Sequence, residues 1–131
     1  MAGGAFPIKL VRSVFYNREC GSCFKCGRTV VWQDRGFGWS MHHRKPRGAG
    51  GTRRIMTAAD GLVLCGSGTT GCHGWVESHR DIATEHGYLI SRNASTPEFE
   101  PDRVRVRRDD GRWFLLTADG RAVEVEKGNT R

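Results

Sequence analysis

The chain has no run approaching the roughly 18 to 20 apolar residues that would carry a helix across a bilayer. The opening stretch from Ala5 to Phe15 is interrupted by Pro7, Lys9 and Arg12, so it lacks the apolar stretch of a secretory leader. A soluble, non-secreted, cytoplasmic protein without a membrane partner is therefore expected. Acidic residues are scarce in the first half: residues 1–54 hold two Asp/Glu against eleven Lys/Arg, whereas residues 55–131 hold twelve against ten. The net charge of +7 thus sits entirely N-terminal, and such a half suits a polyanion such as nucleic acid, because neutralising phosphates releases condensed counterions. At 131 residues and 37% hydrophobic content, a multi-domain enzyme is excluded and the core is modest, which makes a metal or disulfide staple valuable. No internal repeat is visible.

The five cysteines are grouped. Cys23-Phe-Lys-Cys26-Gly27 has the outline of a zinc knuckle, with two thiolates three residues apart on a turn that ends in glycine. Cys65 and Cys72 supply a second pair. Their six-residue spacer, Gly66 to Gly71, exceeds the usual two to four residues, but its glycines let the chain bend back. A structural Zn2+ held by Cys23, Cys26, Cys65 and Cys72 is expected. Two disulfides fit less well, given the odd cysteine count and the close Cys23/Cys26 pair. Cys20 forms its own C-x2-C with Cys23, so a register that includes it stays open; otherwise it is a free thiol.

The apolar spacing at 11, 14 and 15 predicts a short helix over Val11 to Arg18. Thr29 to Trp32 and Trp39 to His43 read as strands, and Arg44 to Arg54, basic and glycine-rich, reads as a loop. Leu62 to Leu64 is a short apolar segment that delivers Cys65. Trp75, Val76, Ile82 and Ala83 predict one helix from about Gly74 to His86, stopped by Gly87. After a polar linker over 93–101, alternating residues separated by Asp-Gly turns predict a three-stranded antiparallel meander. Its arginines at 103, 105, 107, 108 and 112 read slightly better as solvated edge charges than as phosphate contacts. Trp32, Trp39, Trp75 and Trp113 are assigned to packing, and His86 to the surface.

Between the cysteine pairs lies His42-His43-Arg44-Lys45-Pro46-Arg47-Gly48-Ala49-Gly50-Gly51, followed by Asp60, and the second pair runs into Cys72-His73-Gly74-Trp75-Val76-Glu77. With the Cys-x2-Cys knuckle, the HH-R-x-P-R-G-x-GG segment and the Cys-His helix start in this order, residues 10–92 resemble the HNH endonucleases, particularly the small ones of actinobacterial phages. The resemblance implies a ββα-metal unit, which with the elements read above makes an α+β fold: a zinc-stapled unit over residues 1–92 with a short N-terminal helix, then a linker and small β meander over 93–131. It implies metal-dependent hydrolysis of phosphodiester bonds in double-stranded DNA, by nicking or by cutting both strands, with a terminase or other packaging proteins as partners and the host cytoplasm as location if the chain is phage-encoded.

The same resemblance assigns roles. His43 is the implied general base, and His42 and His73 the implied ligands of a catalytic divalent ion, Mg2+, Mn2+ or Zn2+. The position where many relatives carry a further His is Glu77 here, an oxygen donor on the same helical face as His73, and it ranks above His79 as third ligand. The motif's central Asn falls at Asp60, a supporting residue that accepts but cannot donate. Arg44, Lys45, Arg47, Arg53 and Arg54 form the expected DNA-binding loop. A zinc ribbon that binds nucleic acid without cleaving it, or a non-catalytic packaging adaptor, is the rival reading.

Overall fold

A computed structural model describes residues 6–45, 56–91 and 96–126. Helix α1 spans Ile8–Ser13 and continues into a wider turn over Val14–Arg18, where Glu19 N–H bonds Val14 O at 2.9 Å across five residues. Val11, Val14 and Phe15 are buried, so the apolar face lies where the spacing placed it, although the helix begins three residues earlier. Pro7 explains the early start: its fixed φ suits a helix entry, and its carbonyl accepts from Leu10 and Val11.

The segment Thr29 to Trp32 corrects the strand expectation. Among the described residues it forms one bridge, Ser22 with Thr29, and a 3-10 turn follows at Trp32–Asp34. Side-chain packing overrides β propensity here, since Trp32 lies against Phe15 and Trp39 with ring centroids 5.2 and 5.5 Å away.

Strand β1, Trp39–His43, pairs antiparallel with β2, Gly61–Cys65, with His42 opposite Leu62 and His43 opposite Gly61. All of β2 is buried. The predicted helix over 74–86 is two helices, α2 at Gly71–Ser78 and α3 at Arg80–Glu85. His79 makes the break: its φ of −127° and ψ of 57° are non-helical, its ring stacks on Trp75 at 4.6 Å, and both its backbone N–H and its ring Nδ1 lie 2.9 Å from Trp75 O. Helix α2 packs on the hairpin, which completes a ββα unit.

Strands β3 (Val106–Arg107), β4 (Trp113–Leu116) and β5 (Ala122–Val125) form the antiparallel meander. Val106, Phe114 and Leu116 enter the same buried cluster as Phe24, Trp39 and Leu62. Arg108 is not a solvated edge charge. It donates to Phe24 O at 3.0 Å and lies over the Phe24 ring at 4.3 Å, and next to it Lys25 pairs with Asp109 at 2.8 Å. These contacts tie the meander to the knuckle. Among the described residues no helix is long and apolar enough to cross a membrane.

Candidate metal centre

Among the described residues two groups of ligand-type side chains converge, each with its donor atoms within 4.8 Å of one another: Cys23, Cys26, Cys65 and Cys72, and separately His42, His73 and Glu77. The first is assembled by two tight turns. Cys23 N–H bonds Arg28 O and Gly27 N–H bonds Cys23 O, and Gly27 takes a φ of +80°. The long spacer after Cys65 closes because Gly66 (φ +85°) and Gly71 (φ +62°) fold it flat; a Cβ on Gly66 would meet Thr70 O at 2.1 Å. Cys72 therefore enters α2 beside Cys65, whose sulfur accepts from Cys72 N–H at 3.4 Å.

The sulfurs of Cys26 and Cys65 are 3.9 Å apart, close to the roughly 3.8 Å edge of a tetrahedron with 2.3 Å metal–sulfur bonds. A hydrogen bond from Cys72 pushes the Cys23 thiol down to about 5 against the opposing effect of burial, and the same contact pushes Cys72 up. Cys26 is also raised, chiefly by burial. Crowded thiols that cannot all ionise together are what a dication relieves, and an all-sulfur set suits a soft tetrahedral ion. The cluster fits stapling by zinc. Cys20 lies outside this group, exposed, with a φ of 54°.

The second cluster sits where β1 meets α2. His42 Nδ1 and His73 Nε2 each lie 3.7 Å from Glu77 Oε2. Each imidazole is held by its other nitrogen. His42 Nε2 donates to Tyr88 O at 2.7 Å. Ser40 Oγ gives its proton to Gly66 O at 3.0 Å, so it accepts from His73 Nδ1 at 2.5 Å. Both tautomers are thereby fixed with a bare nitrogen facing Glu77, the arrangement that second contacts impose on metal-binding histidines. Burial lowers the His42 pKa to about 3, outweighing the Tyr88 carbonyl, and lowers that of His73 against the opposing Glu77 carboxylate. Neutral imidazoles are the ligating form.

No family model, no curated protein and no solved structure matches this chain. On its own geometry it is a small α+β domain with a four-thiol cluster and a His/Glu cluster, each able to hold a metal ion.

His43 points from β1 to the other side of the strand from His42 and stacks on Phe6, with ring centroids 4.2 Å apart. The stack requires the glycine opposite it: a Cβ on Gly61 would meet Phe6 Cζ at 3.0 Å and Met41 Cε at 2.7 Å. His43 also lines a cavity of about 270 Å³ with Met41, His42, His73, Glu77, Arg80 and Leu89. Asp60 is buried and accepts from Thr57 N–H at 2.8 Å, closing a capping box on the turn before β2.

Arg44 corrects the expectation of a DNA-facing residue. It is fully buried, and its guanidinium donates to Gly87 O, Ala59 O, Pro101 O and Val104 O at 2.7 to 3.1 Å. Burial lowers its pKa to about 9, which leaves it charged at neutral pH. A cation buried among that many carbonyl partners braces the chain at residues 59, 87, 101 and 104 and is not exposed to a phosphate. Lys45 is half-buried, while Arg47, Arg53 and Arg54 lie outside the described residues.

His79 is turned away from the cluster and into the helix break. Two contributors were missed from the sequence, Ser40 and Arg80. Ser40 stands two residues before His42 and so on the same face of β1, a signal that strand alternation carries. Arg80 is three residues after Glu77 and pairs with Glu77 Oε1 at 2.7 Å.

Proposed function

We propose that this protein is a metal-dependent DNA endonuclease of the HNH type, hydrolysing phosphodiester bonds to leave 5′-phosphate and 3′-hydroxyl ends. The observation that carries the reading is the convergence of His42 Nδ1, His73 Nε2 and Glu77 Oε2 on a ββα unit, with His43 on the same strand and opening into the same cavity. Two nitrogens and one carboxylate oxygen leave coordination positions open for substrate and water, unlike the closed four-thiol set. The residues therefore fit a catalytic divalent ion, Mg2+, Mn2+ or Zn2+, alongside a structural Zn2+ on the cysteines. When bound, such an ion would supply Lewis-acid chemistry to the phosphodiester.

The chain's own groups supply the rest. His43 accepts a proton from the attacking water as the new O–P bond forms and the P–O3′ bond breaks, and the 3′ oxygen takes up a proton to become the hydroxyl. The Phe6 stack fixes the plane of the imidazole. Lys45, with Arg47, Arg53 and Arg54, supplies cationic contacts to the duplex backbone, drawn from the +9 surplus of residues 1–54. Work beside a terminase during DNA packaging follows from the resemblance to phage enzymes.

The test is plasmid nicking by the zinc-loaded protein with a panel of divalent ions, with and without chelator. Conversion of supercoiled plasmid to nicked or linear form in Mg2+ or Mn2+, suppressed by chelator, is the expected result. DNA binding without cleavage under every ion would instead establish the zinc-ribbon reading.

A further inference from the structure

Arg80 is the one arginine or lysine lining the cavity among the described residues, and the motif assigns it no role. Its Nη1 bonds Glu77 Oε1 at 2.7 Å, while the other carboxylate oxygen, Oε2, faces His42 and His73. The two oxygens of Glu77 are thus divided between the cluster and Arg80. Arg80 is about half exposed, and its remaining N–H groups are not taken up by Glu77. The helix break at His79 precedes it directly, so α3 begins with Arg80 at the cavity rather than with a continuation of α2.

We propose that Arg80 contacts the phosphodiester at the cleavage position, with Glu77 holding its guanidinium at the cavity. This rests on the nuclease reading of the same site. A planar fork can carry a carboxylate oxygen on one edge and phosphate oxygens on another, which an ammonium group cannot do with the same geometry. An isolated i,i+3 surface pair adds little to helix stability, so helix stability alone gives no reason for this cation to stand in the cavity.

The experiment compares wild type, Arg80→Ala and Arg80→Lys in two assays. Binding of a short DNA duplex is followed by fluorescence anisotropy across a salt series in Ca2+, and Mn2+ binding to the zinc-loaded proteins is followed by electron paramagnetic resonance. Arg80→Ala should reduce the slope of log affinity against log salt by about 0.9, the value of one phosphate contact, with Arg80→Lys restoring most of it. Mn2+ affinity should stay within about threefold of wild type in both variants. Nicking by Arg80→Ala should fall by roughly 10- to 100-fold, and Arg80→Lys should recover it only in part.

An unchanged salt slope in Arg80→Ala would overturn the proposal, as would a wild-type protein that binds no duplex. So would a loss of Mn2+ affinity with the slope unchanged, which would reduce Arg80 to a support for Glu77. If wild type binds DNA with an Arg80-dependent slope but nicks in no ion, the phosphate contact stands and the nuclease reading fails. If wild type nicks and Arg80→Ala matches it in both slope and rate, the reverse holds.

Discussion

His42 donates Nε2–H to the carbonyl oxygen of Tyr88 at 2.7 Å, and that bond decides which of its nitrogens faces Glu77. The carbonyl belongs to the turn that follows Gly87, so the segment after α3 orients a side chain on β1. Ser40 does the same for His73 from within the hairpin.

Ser40→Ala should lower divalent-ion affinity at the His/Glu cluster by roughly 10- to 100-fold while zinc content stays unchanged, because it removes the contact that orients His73 and, besides that, a single bond to Gly66 O. Calorimetric titration with Mn2+ reads this directly. Equal affinity in the variant would mean that His73 is held by its helix alone.

His43→Ala should reduce nicking by about 10²- to 10⁴-fold, the usual contribution of a general base, and leave Mn2+ and duplex binding nearly intact. Nicking within threefold of wild type would remove His43 from the proton-accepting role.

Arg44→Met should destabilise the fold by roughly 3 kcal/mol or more, since it strands four buried carbonyl oxygens, and Arg44→Lys should recover only part of that. Denaturant midpoints measure the loss. A stable Arg44→Met protein with weakened DNA binding would return Arg44 to the surface role its sequence neighbours suggest.

Acid should unfold the metal-free protein partly through His42. Its pKa is about 3 in the fold against about 6.5 in the unfolded chain, so between these values the unfolded state binds a proton that the fold excludes. Stability from this residue is complete above about pH 6.5 and is lost as pH falls toward 3. The drop in unfolding free energy from pH 7 to pH 4.5 should be roughly 2 kcal/mol smaller in His42→Asn than in wild type. Equal drops would show that His42 is accessible to protons in the native state.

Cys26→Ser and Cys65→Ser should each lower the melting temperature and the zinc content together, as a structural metal contributes folding free energy directly. Normal melting without bound zinc would dismiss the four-thiol staple.

Local pattern carried a good part of this fold. The Cys-x2-Cys turn, strand β1 through His42 and His43, the apolar β2 segment and the Asp-Gly turns of the meander are short-range signals, and they stand where the spacing put them. What eluded the sequence depends on contacts between distant segments. Arg44 follows His43 in a basic run, yet its carbonyl partners come from residues 59, 87, 101 and 104. The break at His79 arises from a ring stack and a side-chain bond to Trp75 that helical periodicity does not register. Thr29 to Trp32 has β propensity but among the described residues finds no neighbouring strand beyond one bridge. For the candidate site, the motif named His42, His73 and Glu77, whereas the division of the Glu77 oxygens between the histidines and Arg80 required coordinates.

The most direct measurement is an electron paramagnetic resonance titration of zinc-loaded protein with Mn2+, comparing wild type with His73→Ala. Wild type should bind one Mn2+ per chain beyond its zinc, and His73→Ala should lose that ion while keeping the zinc. Equal Mn2+ binding by the two proteins, or none by wild type, would contradict a catalytic metal centre at His42, His73 and Glu77.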